Sequence, residues 1–295
     1  MRAVWYDRQG PADEVFQVGE LPDVQPGPGE VRVRLRFSGI NPGDTKKRRG
    51  WLGSDMPFPR VIPHSDGAGV IDAVGEGADP ARLGRRAWVF GAQSYRPFGT
   101  AAQWTAVPEH LAVDLPDEVP DQVGACLGIP GITAHRAVFA DGPVSGLTVL
   151  VHGVLGGVGS LAAQLAGWGG ATFIVTVRRN SDLPQAANPT ALPIVALDQP
   201  DPATAIRDLA SGGVEDRPGF PFWPLLFDNV TIRLLGSDDF PDRARQEAAA
   251  DLTTAARAGA LAIPVGTALP LEQAATAHDL VDSGTHERVI LAIPD

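Results

Sequence analysis

The chain has 295 residues, 44% hydrophobic and 20% charged, a balance that suits about two globular domains and excludes a disordered polymer. Its net charge of −11 opposes phosphate backbones and anionic lipid, so neither nucleic acid nor a membrane surface is an expected partner. The one cysteine, Cys126, excludes an internal disulfide and a cysteine-rich zinc cage, and points to a reducing, cytoplasmic compartment.

The first ten residues are strand-like and charged, without the apolar core of a secretion signal. A turn cluster at 25–30 (QPGPGE) leads into residues 31–37 (VRVRLRF), whose apolar–basic alternation is that of a strand with one wet face. Residues 67–74 and 86–90 are further strands, and this spacing predicts a partly closed β-barrel. From about residue 119 the pattern changes. Residues 122–140 read as helix interrupted by Gly-Ile-Pro-Gly at 128–131. A buried strand at 147–151, a glycine run at 153–159, a helix at 160–168 ended by Gly169-Gly170 and a strand at 172–177 then make a β-α-β unit. Residues 142–177 hold no charge, yet nine glycines punctuate them, so strand–turn–helix–strand fits better than a membrane span. Further on, 194–197, 230–235 and 288–293 read as strands, and 203–210 and 241–258 as helices.

Gly153, Gly156 and Gly159, with Gly157 and Val158 between them, stand between a strand and a helix. Glycine there permits a tight turn and lets a pyrophosphate approach the helix N-terminus, whose free N–H groups favour anions. The competing reading is a glycine turn packed for helix–strand contact. The second strand ends in Arg178-Arg179 with no acid before Asp182. Two guanidiniums there suit a 2′-phosphate, so NADPH is the expected cofactor; a solvated basic pair is the alternative.

Together with this core, Ser38-Gly39-Ile40-Asn41-Pro42-Gly43-Asp44, Gly131-Ile132-Thr133-Ala134 and the strand from Arg288 to Ile293 resemble the zinc-independent quinone oxidoreductase (zeta-crystallin-like) branch of the medium-chain dehydrogenase/reductase superfamily. The resemblance implies an α/β protein: a GroES-like β-barrel domain over 1–118 and 259–295, joined to a Rossmann NADP-binding domain over 119–258. It implies NADPH-dependent reduction of a quinone or activated enone by metal-free hydride transfer. The alternative is an NADP-binding sensor or structural crystallin-type protein without turnover. Asn41 and Asp44 would border the reacting centre, with Asp44 equally suited to cap a short helix over 45–49. Asn41, Thr133 and Arg288 join the glycines in the implied cofactor site. Trp51, Phe222 and Trp223 are candidate walls for a flat substrate, or packing residues.

The zinc relatives' catalytic Cys–His–Cys set falls on Asn41, His64 and a position near Ile129, so no metal site is expected. His64 reads as a hydrogen-bonded turn histidine. A tyrosine common in the branch is Lys46 here. The relatives also carry about two strands and a helix, roughly thirty residues of βαβ length, at the junction near 214–217. Either residues are missing from this sequence or the protein has a real deletion.

The resemblance finally implies a homodimer through Val230–Leu235 (VTIRLL), an apolar edge that an isologous contact would cover. Sedimentation at micromolar concentration should give a dimer, and Ile232→Pro, which removes a ladder donor, should split it. A monomeric parent protein would reject the dimer.

Overall fold

The computed structural model describes residues 1–50, 55–186, 194–200, 202 and 237–295. The chain forms two compact units, Met1–Ile132 with Pro241–Asp295, and Thr133–Phe240. These seams, 132/133 and 240/241, lie inside the segment 119–258 that the sequence assigns to one domain.

In chain order the first unit contributes β1 (Arg2–Trp5), α1 (Ala12–Val15), β2 (Gln17–Glu20), β3 (Glu30–Gly39), α2 (Pro42–Arg49) and β4 (Asp66–Val74). Next come β5 (Arg86–Val89), β6 (Trp104–Pro108), β7 (Ala112–Asp114), α3 (Asp121–Gly124) and the start of α4 (Gly128–Phe139). The second unit holds β8 (Thr148–Val151), α5 (Gly157–Trp168), β9 (Thr172–Val177), α6 (Leu183–Ala186) and β10 (Ile194–Ala196). The chain then returns to the first unit with α7 (Asp242–Arg257), β11 (Leu269–Pro270), α8 (Ala274–Ser283) and β12 (Ile290–Ala292).

The first unit is built on β3. Its sheet runs β11-β12-β3-β4-β5-β7, with β6 also pairing β3. Alternation does what the sequence predicts: Val31, Val33 and Leu35 are buried while Arg34 and Arg36 stay exposed. Arg32 is held by Asp72 at 2.9 Å and lies over the Trp104 ring. Register shifts between β3 and β4 at Arg32/Val33 and Leu35/Phe37 bend the pair, as barrel strands require.

Two sequence expectations change. The break in the helical stretch falls at residues 125–127, and Gly128-Ile129-Pro130-Gly131 is the first turn of α4 rather than the interruption. Proline is tolerated there because first-turn N–H groups need no intrahelical acceptor. Likewise α2 begins at Pro42, not Thr45. Asn41 is its N-cap, so Asp44 is not the cap residue; its carboxylate accepts the Asn41 N–H at 2.7 Å.

The interior of this unit carries an oriented polar chain. Arg48, fully buried, donates from Nε to His278 Nδ1 at 3.3 Å. His278 Nε2 meets His64 Nε2 at 2.9 Å, His64 Nδ1 meets Ser38 Oγ at 2.8 Å, and Ser38 Oγ meets Thr100 Oγ1 at 2.8 Å. Thr100 Oγ1 then donates to the Asp66 carbonyl at 2.6 Å. A guanidinium can only donate and a carbonyl can only accept. Those two ends fix the direction of every bond between, with the proton on Nε2 of His278 and on Nδ1 of His64. His64 is thus a turn histidine, with φ at 78°, buried and fully bonded. Burial pushes its imidazolium down to about 3 and also holds His278 well below the ordinary histidine value, with His64, Arg48 and Arg49 adding to the effect.

The second unit is a parallel sheet in the order β10-β9-β8, with α5 packed on β8 and β9. Register pairs Thr148 with Thr172 and Ile194 with Val175. Leu161, Leu165 and Ala166 of α5 and Ile174 of β9 are buried. Residues 203–210 and 230–235, the walls Trp51, Phe222 and Trp223, and the junction at 214–217 lie outside the described residues. Among the described residues, no helix is long and apolar enough to cross a membrane.

Protonating either imidazole would set two N–H groups face to face in this chain. Both rings are neutral when folded and titrate near 6.5 when unfolded, so the unfolded state binds more protons below that pH. Stability should be full above pH about 6.5 and fall as pH drops, by up to about 1.4 kcal/mol per pH unit for each ring. Urea titrations at a series of pH values check this, and an unchanged midpoint from pH about 6.5 to 5 would reject it.

Candidate cofactor and reaction site

In the first unit the predicted residues Asn41, Asp44 and Arg288 come together around a residue that the sequence reading passed over. Asp66 opens β4 and is fully buried. Its Oδ2 accepts from Asn41 Nδ2 at 2.7 Å, and both its oxygens accept the Ile129 N–H, at 3.0 and 2.9 Å. The carboxylate therefore supplies an acceptor to the N-terminal turn of α4, where free N–H groups favour negative charge. Gly128 makes this possible, since a Cβ there would stand 2.1 Å from Asp66 Oδ1. On its other side Asn41 Oδ1 accepts from Arg288 Nη2 at 2.7 Å, and the same Nη2 donates to the Ile40 carbonyl at 3.2 Å. Asn41 is 5% exposed and Asp44 4%.

Burial dominates the electrostatics here. It pushes the Asp66 carboxyl up to about 7; the Asn41 and Ile129 hydrogen bonds and the Arg288 charge hold it from going higher, while Asp44 adds to the rise. Cys126, also buried, is pushed up to about 11 for the same reason, with Arg288 opposing. It is a buried thiol, as its small apolar setting predicts. No sequence signal marked Asp66: the strand that it opens also carries Asp72, and its partners Asn41 and Ile129 are remote in sequence.

The second unit holds the glycine cradle. Gly153, in the left-handed region at φ 71°, closes the end of β8, and Gly156 is the N-cap of α5. Gly157, Val158 and Gly159 form the first helical turn, so the helix starts three residues before the predicted Ser160. Their N–H groups belong to the set that lacks intrahelical acceptors. Gly159 is required by close approach, because a Cβ would stand 2.3 Å from the Gly153 carbonyl. Thr176 of β9, fully buried, clamps the loop. Its Oγ1 accepts the Gly153 N–H at 3.2 Å and meets His152 Nδ1 at 2.8 Å, while its carbonyl accepts the Val154 N–H at 3.1 Å.

Arg178 and Arg179 follow β9 and are exposed. The next turn is pinned by two acids: Asp182 accepts the Arg179 N–H at 3.1 Å, and Asp198 accepts the Asn180 N–H at 2.7 Å. Thr133 lies in α4, half-buried. Among the described residues no group of three or more His, Cys, Asp or Glu could hold a metal ion.

Comparison with known proteins fits both units. The alcohol dehydrogenase GroES-like domain matches residues 27–117. Human quinone oxidoreductase is 37% identical over 138 residues, 46% of this chain and 40% of that protein. A mycobacterial quinone oxidoreductase structure superposes with a TM-score of 0.83 at 25% identity, over 99% of each chain. The chain is thus similar to quinone oxidoreductases, in sequence over 46% of its length and in fold. Its first unit is the GroES-like barrel and its second the Rossmann part. A mycobacterial protein solved in complex with NADPH superposes with a TM-score of 0.77 at 26% identity, over 99% of this chain and 100% of that one. The sequence match to the curated human relative spans less than half of that protein's length.

The cradle makes a graded prediction. Gly159→Ala drives a methyl into the Gly153 carbonyl and should cost about 1–3 kcal/mol of stability. Gly156→Ala, whose Cβ would meet that carbonyl at an easy 3.4 Å, should cost less. Denaturant titration of the two variants checks the order, and equal losses would contradict the geometry.

Proposed function

We propose that the chain is an oxidoreductase that uses NADPH to reduce a quinone or activated enone by metal-free hydride transfer. The observation that carries this reading is the cradle at the end of β8: a left-handed Gly153, a Gly159 with no room for a side chain, and the free first-turn N–H groups of α5. Those residues fit a pyrophosphate. Arg178 and Arg179 would take the 2′-phosphate by charge-assisted hydrogen bonds, which favours NADPH over NADH. Asn41, Thr133 and Arg288 would hold the nicotinamide end.

Bound NADPH would supply a hydride, which carries two electrons and one proton. A quinone that accepts it needs one further proton, taken from water, to leave as the hydroquinone. An enone accepts at its electron-poor carbon in the same balance. Such acceptors are already activated and can dispense with a metal's Lewis acidity. Asn41 keeps a second Nδ2 hydrogen beyond the one given to Asp66, and this donor would stabilise the oxyanion or enolate that develops.

The test is oxidation of NADPH by a panel of soluble quinones and enones. Turnover supports the reading; tight NADPH binding without oxidation would instead support a sensor or crystallin-type protein. NADPH should bind far more tightly than NADH, and replacing Arg178 and Arg179 together by alanine should cost about 2–4 kcal/mol of that affinity. Equal affinity of the parent protein for the two cofactors would overturn the assignment to NADPH.

A further inference from the structure

We propose that Asp66 is the positioning residue of the reaction, holding the Asn41 amide in one orientation and so fixing the donor that meets the developing oxyanion. The inference rests on the function proposed above. Its grounds are geometric. An amide is symmetric in shape but not in chemistry: a flip exchanges its oxygen and its NH2. Asn41 is gripped at both ends, with Nδ2 on Asp66 Oδ2 at 2.7 Å and Oδ1 on Arg288 Nη2 at 2.7 Å. A flipped amide would set its oxygen against a carboxylate and its NH2 against a guanidinium. Both contacts would be repulsive, so an acid at 66 and a cation at 288 allow one orientation alone.

Asp66 is itself held from several sides. The Ile129 N–H holds its carboxylate, the Gly128 backbone leaves no slack beside Oδ1, and the Thr100 hydroxyl holds its carbonyl. It is buried completely, so it contacts Asn41 and not solvent. Asp66 would thus act through Asn41, whose remaining Nδ2 hydrogen then has a defined direction. The charged and titratable groups facing it are Asp44 from α2, Arg288 from the segment before β12, and Cys126 from the turn between α3 and α4. Ionised, Asp66 accepts two N–H groups; protonated, it has a hydrogen to place among donors, and its grip on the Asn41 amide weakens.

The test uses the full chain with NADPH and a soluble benzoquinone. In Asp66→Asn the side chain keeps its shape, but its NH2 must face either the Ile129 N–H or the Asn41 NH2, both donors. The expected result is a fall in kcat of about 10- to 100-fold, as small misplacements of a reacting group produce, with KM for quinone and Kd for NADPH within about threefold of the parent. The parent's kcat should also rise with pH along a limb near pH about 7, and the variant should lack that limb. An unchanged kcat, or a loss confined to KM, would overturn the assignment while leaving the proposed function standing. A parent that oxidises no NADPH with any quinone or enone overturns the proposed function and this inference with it. If Asp66→Asn does not fold, the parent's own profile decides. A limb coinciding with the Asp66 carboxyl titration in carbon-13 NMR supports the assignment, and a flat kcat from pH about 5.5 to 8.5 overturns it.

Discussion

The Asp66 carboxylate is the contact from which the barrel unit is organised. It joins three pieces of chain that are far apart in sequence: the head of β4, the N-cap of α2 at Asn41 and the first turn of α4 at Ile129. Asn41 and Ile129 each bring it a donor, and a buried donor left unpaired costs about 1–3 kcal/mol. The same residue ends the polar chain that begins at Arg48, through its carbonyl. One residue therefore receives the helix start and the site asparagine through its side chain and the buried histidine pair through its main chain. Burying a lone carboxylate is costly, and it is offset here by charge-assisted bonds and by the N-terminal end of α4.

The glycine cradle follows a different logic. Its geometry is enforced by the absence of side chains, where Asp66 works by the presence of one. At Gly159 the helix and the strand end approach too closely for a methyl group. Thr176, reaching over from the neighbouring strand, supplies acceptors to the N–H groups of Gly153 and Val154. Its hydroxyl and carbonyl serve two successive amides, so these bonds fix the loop's shape from within the protein.

Much of the fold was legible because its strands carry simple patterns. The alternation of residues 31–37 marked β3, the apolar run before the glycines marked β8, and 172–177 matched β9 to the residue. The short strands β2, β6 and β7 were not anticipated, since their pairing is set by β1, β3 and β5 rather than by a pattern of their own. Helix starts were the harder feature. Pro130 looked like part of an interruption and Pro42 stood before the helix expected at 45–49, yet both occupy first turns, where the missing N–H is harmless. Of the candidate site, Asn41, Asp44 and Arg288 could be found by their neighbours in sequence. Asp66 could not, because its importance lies in two partners, 25 and 63 positions away.

The barrel's discontinuity in sequence has a consequence for how the chain is made. Strand β12 pairs with β3, and His278 of α8 completes the bond to His64, so the barrel cannot close on its first 132 residues alone. On a ribosome adding about 5–20 residues per second, β3 would wait about 13–50 seconds for its partner, part of it while the Rossmann unit is synthesised. During that interval the side of β3 that will take β12 is an open edge ready to pair with another chain. The open stretch is Phe37–Gly39, since β6 already covers Glu30–Arg34, and the exposed Arg36 beside it places like charges on any two such edges that meet, which makes it a gatekeeper of the nascent barrel.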